Sequence, residues 1–353
     1  MKQMPDRYDA LTSRQRIEKA LRGDCSDYVP TFDALRSKAL IEYLAGAPLT
    51  QENGQTIILQ ALSAGFDATW NIKFPQLPHE IETTEGFVYE VQEWTTWIKK
   101  RPFTTPEECA KYMKLVIDKA ETNSLDVRRE VDQILAYQKG LGDCILALPV
   151  STGFDYETFG LELFSYTYAD YPEIVSAYLK VKNRIAIRHL TALVDAVADY
   201  EQFPLVMSGE DVACNSGLLF APEFLRTHFI PYLECAVAVC HSKGLKYFYH
   251  SDGYLMEILP DMAAAGIDGL HPIEYHAGMR LRDIRIKHPN LILVGGIDAK
   301  GVLMFGAPAD VRQFTRQAIK DASPGYLVGS SGAIYDPVSP ENLQAMLDTA
   351  HEG

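Results

Sequence analysis

Leu245-Lys246-Tyr247-Phe248-Tyr249-His250-Ser251-Asp252-Gly253 is a short apolar, aromatic-rich run that stops at a histidine, an acid and a glycine. A run of this length bounded by turn residues reads as a buried strand. The glycine turns the chain away and leaves His250 and Asp252 at the strand end. The next such run, residues 269–274, carries His271 and ends at Glu274. Two adjacent strand ends thus bring imidazole and carboxylate groups to one small volume. That set suits a metal site, an acid/base pair or a hydrogen-bonded rim.

The same pattern recurs along the chain. Candidate strands fall at residues 29–32, 66–71, 144–151, 204–210, 246–250, 269–274, 291–297 and 326–330. Helical patterns fill the gaps, among them residues 171–200, 222–242, 255–265, 308–321 and 340–351. Pro172, Pro222, Pro308 and Pro340 suit helix starts, and Gly244 and Gly266 suit helix stops. Strands alternating with helices in this number predict an α/β fold, a (β/α)8 TIM barrel with an N-terminal helical extension. Residues 80–99 alternate around Glu85-Gly86 and predict a β-hairpin inserted after the second strand, a lid for the pocket or a packed structural flap. Residues 1–353 are expected to form one such domain.

Composition narrows the partners. With 47% hydrophobic and 23% charged residues the chain is expected to be globular. A net charge of −14 argues against nucleic acid, because phosphate-backbone binding needs clustered Lys and Arg. No apolar run is long enough to span a bilayer, and residues 1–7 lead into a charged segment, so no secretory signal is expected. The six cysteines include no Cys-x-x-Cys pair. They read as free thiols of a cytoplasmic protein, with Cys235 and Cys240 as small core residues on one helix.

Several further stretches form a set: Ala221-Pro222-Glu223-Phe224, Ile230-Pro231-Tyr232, His250-Ser251-Asp252-Gly253, Ala265-Gly266-Ile267-Asp268, His271-Pro272-Ile273-Glu274, Gly295-Gly296-Ile297-Asp298 and Ser339-Pro340-Glu341-Asn342. With Arg14-Gln15-Arg16-Ile17, Leu21-Arg22-Gly23 and Val29-Pro30 near the start, the chain resembles the uroporphyrinogen decarboxylase superfamily. It is more similar to the corrinoid-linked methyltransferase branches than to the decarboxylase itself. The resemblance implies a (β/α)8 barrel, often a homodimer. The decarboxylase holds a many-carboxylate porphyrinogen partly through an Arg-rich segment after the first strand. Here that segment has only Arg36, with Asp33 at the strand end. Gly332 stands where the decarboxylase has a late histidine. Both departures argue against a porphyrinogen substrate.

The zinc methyltransferases of the superfamily carry His-x-Cys at the fifth strand end and a later cysteine, and the more distant cobalamin-independent methionine synthase adds a glutamate. By resemblance His250 matches the histidine, Asp252 replaces the first cysteine, and Glu274 falls at the glutamate. Ser330-Ser331-Gly332-Ala333 stands where the later cysteine would be. The expected metal ligands are therefore His250, Asp252 and Glu274, around zinc. Carboxylate in place of thiolate makes the metal a harder Lewis acid, suited to an oxygen or nitrogen leaving group. The implied reaction moves methyl between a small O- or N-methylated compound and a corrinoid carried by a separate partner protein. The alternatives are a metal-free decarboxylase or lyase of a small carboxylated substrate, with Asp252 orienting His250 as acid/base, and a non-catalytic binding barrel.

Other groups join the candidate site. Glu210 and Asp211 end a strand and read as substrate-binding or proton-handling acids, or as acids bonded to the amides of their own loop. His250, Asp252, Glu210 and Asp211 are the candidate catalytic set. Asp33 and Asp298 at strand ends, with Tyr156 and Tyr335, are the candidate substrate-binding groups.

Overall fold

A computed structural model describes residues 11–24, 28–120, 125–198, 200 and 203–352. Six parallel strands form one sheet, in the order Tyr326–Leu327, Ile292–Val294, Gly269–His271, Lys246–His250, Leu205–Gly209 and Leu148–Val150. The last continues the stretch Ile145–Leu146, which pairs in parallel with Ala68–Thr69. Ala68 bridges Phe32, and Thr31 bridges Val328 just beyond the first-named strand. The Phe32 N–H donates to the Val328 carbonyl at 2.8 Å, and the Val328 N–H to the Pro30 carbonyl at 2.9 Å. Six strands, with residues 31–32 and Ala68–Thr69 between their two edges, close a ring of eight. The expected barrel is the fold observed.

Strand alternation sorts the side chains into two layers. Phe32, Ala68, Ile145, Leu205, Met207, Phe248, Ile292, Val294 and Leu327 form one buried cluster, the inside of the ring. Tyr247, Tyr249, Leu270 and Leu293, the intervening residues, join the larger cluster that packs beneath the helices. The interior is crowded. A Cβ on Gly269 would stand 2.5 Å from the Phe248 ring, so glycine there makes room for the aromatic side chain.

The N-terminal extension is a plug. Ile17 and Ala20 of the helix Ser13–Leu21 belong to the interior cluster. Thr12 caps that helix, its side chain bonded to Gln15 in a reciprocal capping box. Asp67, just before the second strand, accepts from Ser13 Oγ at 2.9 Å, Arg16 Nε at 2.8 Å, Tyr28 OH at 2.9 Å and the Thr31 N–H at 2.9 Å. One buried carboxylate thus ties the plug to the strand starts.

The insertion is larger than expected. His79–Glu82, Val88–Val91 and Thr96–Lys100 form a three-stranded antiparallel sheet. Its anchor is Phe87, whose ring meets Phe103 and Tyr112. The helix expected over residues 222–242 is two, Pro222–His228 and Ile230–Ser242, joined at Phe229. Pro231 supplies no N–H and its ring clashes with a carbonyl four residues back, so a continuous helix fails there. The cysteines Cys109, Cys144, Cys214, Cys235 and Cys240 are free. Cys235 is exposed on its helix while Cys240 is buried, so only the second serves as core. Cys25 lies outside the described residues. Among the described residues no helix is long and apolar enough to cross a membrane.

Removing the carboxylate that ties the plug leaves Arg16 facing the barrel floor unpaired. We expect Asp67→Ala to lose about 3–5 kcal/mol of stability, the usual cost of breaking a buried ion pair. Urea unfolding measures it, and a loss below about 1 kcal/mol would remove the plug from its structural role.

Candidate active site at the C-terminal rim

The barrel alternation carries past its apolar layer to the site. Phe248 points inward, so His250, two residues on, points inward one layer higher. His250 is in register with His271 on one side and Gly209 on the other. A Cβ on Gly209 would come within 3.2 Å of the His250 ring. The missing side chain on one neighbour therefore leaves the imidazole its space. Nδ1 of His250 lies 2.8 Å from Nδ1 of His271. Trp70 covers both rings, with centroids 4.5 Å from His250 and 4.9 Å from His271. Burial pushes His250 down to about 4, against the opposing pull of Asp211 and then Glu274. Burial, then the neighbouring His250, holds His271 well below the ordinary histidine value. Both rings are neutral near pH 7.

The carboxylates come from the neighbouring loops. Tyr249 of the outer layer and Tyr156 of the loop after Leu148–Val150 hold the end of the strand Leu205–Gly209 in place. Tyr249 OH donates to the Glu210 carbonyl, and Tyr156 OH donates to the Asp211 carbonyl at 2.7 Å. Ser251 Oγ accepts the Val212 N–H at 3.1 Å and ties the two loops together. The Asp252 N–H then donates to Asp211 Oδ1 at 2.8 Å, and His250 Nε2 stands 3.9 Å from the same oxygen. Asp211, His250 and Asp252 each offer a donor atom, and these atoms all lie within 4.8 Å of one another. Partial burial, then the charges of Asp211 and Glu274, push the Asp252 carboxyl up to about 7, with Lys300 opposing.

Glu274 is beside this cluster with its own partners. Its Oε2 accepts the Gly253 N–H at 2.8 Å, and its Oε1 lies 3.4 Å from Lys300 Nζ. Gly253 has φ +94°, and a Cβ there would stand 2.5 Å from the backbone of Cys214. Only glycine allows both the turn and the close packing of the short hairpin, Ala213–Cys214 against Gly217–Leu218, over the site. An open cavity of about 500 Å³ is lined by Asp211, Cys214, Asp252, Gly253, Glu274 and Lys300, with Ala213, Asn215 and Ser216. That volume is within the range of small-molecule sites.

The remaining candidates fall elsewhere on the rim. Glu210 is buried, accepting from Ser151 Oγ at 2.7 Å and the Thr152 N–H at 2.6 Å. Its Oε2 has no hydrogen-bond partner among the described residues, and burial pushes its carboxyl up to about 7. Asp33 is wholly buried and accepts the Ser330 N–H at 2.6 Å, the Ser330 hydroxyl at 3.0 Å and the Ala34 N–H at 2.8 Å. It clamps the first strand to the eighth, and burial raises it to about 7. Asp298 accepts the Gly301 N–H at 3.0 Å and pairs with His276 at 2.8 Å. Tyr156 is buried in an aromatic cluster with Phe154 and Phe220 and reaches the site only through the Asp211 carbonyl. Tyr335 is 41% exposed, on a short strand that pairs with Leu35–Arg36. None of Asp33, Asp298, Tyr156 and Tyr335 lines the cavity. Five cavity residues, Lys300 and Cys214 with Ala213, Asn215 and Ser216, escaped the sequence reading. Lys300 follows Asp298 by two positions and falls under the same strand-end rule. Nothing local marks Cys214, which the hairpin carries over from another strand.

Protonation of the site opposes itself across the acid range. The folded protein refuses a proton on His250 that the unfolded chain accepts between pH 6.5 and about 4. The stability held by the neutral rings is present above pH 6.5 and is lost as pH falls toward 4. Asp33, Glu210 and Asp252 act in the other direction: raised to about 7, they favour folding at low pH and lose that contribution as pH rises toward 7. We therefore expect His250→Gln/His271→Asn to lose less stability than the parent protein between about pH 7 and 5. Urea midpoints across that interval measure it, and an unchanged slope would mean the rings are not held neutral.

Comparison with known proteins agrees with the barrel. The family model for uroporphyrinogen decarboxylase (URO-D) matches residues 160–353. By sequence, no curated protein matches. Among solved structures, a methyltransferase from Methanosarcina mazei superposes with a TM-score of 0.69 at 17% identity, over 97% of this chain and 99% of that one. A B12-independent methionine synthase from Shewanella sp. W3-18-1 gives a TM-score of 0.43 at 14% identity, over 92% and 96% of the two chains. The family match takes in more than half of the sequence, including every residue of the histidine and carboxylate cluster, and the chain belongs to the uroporphyrinogen decarboxylase family.

Proposed function

We propose that the protein is a methyltransferase that moves a methyl group between a small O- or N-methylated compound and a corrinoid carried by a separate protein, with zinc held by Asp211, His250 and Asp252. The observation that carries the reading is the meeting of those three donor atoms within 4.8 Å at the C-terminal rim. One imidazole and two carboxylates make a nitrogen and oxygen donor set of the kind that holds catalytic zinc through three protein ligands. Family membership and the methyltransferase of like fold support the same reading. Glu274, expected among the ligands, is met here by Gly253 and Lys300, and Asp211 stands in the cluster.

Zinc held by these residues would supply Lewis acidity toward an oxygen or nitrogen leaving group. The chain's own groups do the rest. The Asp252 N–H holds Asp211 in its orientation, and Tyr156 and Tyr249 fix the backbone behind it. Trp70 shields the inner face of His250. Lys300 is a cation among Asp211, Asp252 and Glu274 and is available to a negative group on the substrate. A second reading, a metal-free lyase of a small carboxylated substrate, draws on Asp252. A carboxyl pushed up to about 7 retains a proton to donate near neutrality, next to a lysine that suits a carboxylate.

The two readings part on metal content. We expect the purified protein to bind one zinc per chain, and His250→Ala or Asp211→Asn to weaken binding by more than about tenfold. Elemental analysis and competition titration measure both. Methyl transfer at full rate by zinc-free protein would end the metal assignment. Free cob(I)alamin tests the acceptor: its spectrum should change to that of methylcobalamin when a methylated donor and the protein are added together. No spectral change with any O- or N-methyl donor, alongside loss of carbon dioxide from a carboxylated substrate, would favour the lyase.

Affinity for zinc should also depend on pH in a fixed direction. Asp252 must lose its proton to ligate, and its carboxyl stands at about 7. We expect affinity to fall as pH drops through about 7 toward 6, and Asp252→Asn to weaken binding and flatten the dependence.

A further inference from the structure

We propose that His271 is a positioning residue for His250: its Nδ1 accepts the Nδ1–H of His250 and so keeps the Nε2 lone pair of His250 turned toward Asp211 and Asp252. The inference rests on the metal reading above and concerns how this chain prepares the imidazole that joins Asp211 and Asp252.

The geometry leaves two arrangements. The two Nδ1 atoms are 2.8 Å apart, and one hydrogen fits between them. If His271 donates it, His250 carries its own hydrogen on Nε2, and that nitrogen has no lone pair to offer. If His250 donates it, Nε2 is bare and His271 carries its hydrogen on Nε2. The first arrangement gains little, because Nε2 of His250 is 3.9 Å from Asp211 Oδ1, beyond hydrogen-bond reach. That oxygen already accepts the Asp252 N–H at 2.8 Å. Both arrangements keep the hydrogen bond between the rings, and only the second leaves the cluster-facing nitrogen of His250 ready to ligate.

The rings cannot easily turn away from each other. Their centroids are 5.0 Å apart, with planes inclined by 29°. Trp70 packs on both, Phe32 meets His271 at 5.7 Å, and the surface left by Gly209 meets the other side of His250. His271 is 1% exposed, so water does not compete for its nitrogen. A histidine ligand commonly donates its second nitrogen to a carboxylate or carbonyl. A neutral imidazole in that role makes His250 less electron-rich than a carboxylate would. Beside two carboxylate ligands, that preserves Lewis acidity at the centre.

The test uses the full chain with 15N-labelled histidine, read by long-range nitrogen–proton NMR and by zinc competition titration. Of the nine histidines, His250 is assigned by the signals lost in His250→Gln. In zinc-free protein we expect His250 to carry its hydrogen on Nδ1. His271→Leu, which keeps bulk and removes the acceptor, should shift that hydrogen to Nε2 and weaken zinc binding about 10–100-fold. His271→Asn, whose amide oxygen can accept, should restore both. Hydrogen on Nε2 of His250 in the parent protein, or unchanged zinc affinity in His271→Leu, would overturn the proposal. Should His271→Leu fail to fold, the parent spectrum and His271→Asn decide. If the parent protein binds no zinc while the tautomer follows residue 271 as described, the metal reading fails and the positioning role stands.

Discussion

The inward turn of Phe248 within the closed ring is the constraint from which the site follows. A ring of eight strands has no free edge, so the register of each strand is set by both neighbours at once. With Phe248 inside and Gly269 yielding space to it, the next inward position on each strand belongs to His250 and His271. A slip of one residue would put Tyr247 and Tyr249 inside and turn both histidines toward the helices. Packing in the apolar layer therefore aims the imidazoles. Gly209 and Trp70 then decide how much room they have.

The acids on the rim divide into two kinds. Asp33 and Asp298 are engaged by several donors from the chain itself and join strands and loops, as Asp67 joins the plug to the strand starts at the opposite end of the barrel. Asp211 and Asp252 have few such partners and face an open cavity. Asp211 is half-buried and Asp252 exposed, and like charges held this close repel, which a bound cation would relieve. Glu274 belongs between the two kinds. Its contacts with Gly253 and Lys300 shape the loop that presents Asp252.

Much of the fold was legible because barrel strands repeat one local pattern, an apolar run followed by a polar turn. The strand Lys246–His250 and the helix Pro340–His351 have the bounds expected of them. The departures have local causes. Pro231 divides one helix, and the insertion gains a strand because the turn after Val91 sends residues 96–100 back along it. The rim was legible as a set of strand ends and not as a set of partners. Asp33 ends a strand as Asp211 does, yet three donors close around the first, and the second faces the cavity. Tyr156 was expected at the substrate and instead holds the Asp211 carbonyl.

The sequence by itself determined the barrel and the strands that bear histidines and acids, because both depend on short-range alternation of apolar and polar residues. It also carried the family, through motifs spread along the chain. The tertiary structure alone decided which of those residues meet. Asp211 joins His250 and Asp252 because two loops from adjacent strands are tied by Ser251, and His271 bonds His250 because their strands share a register. Such contacts depend on distances between residues remote in the chain, and local pattern carries no record of them.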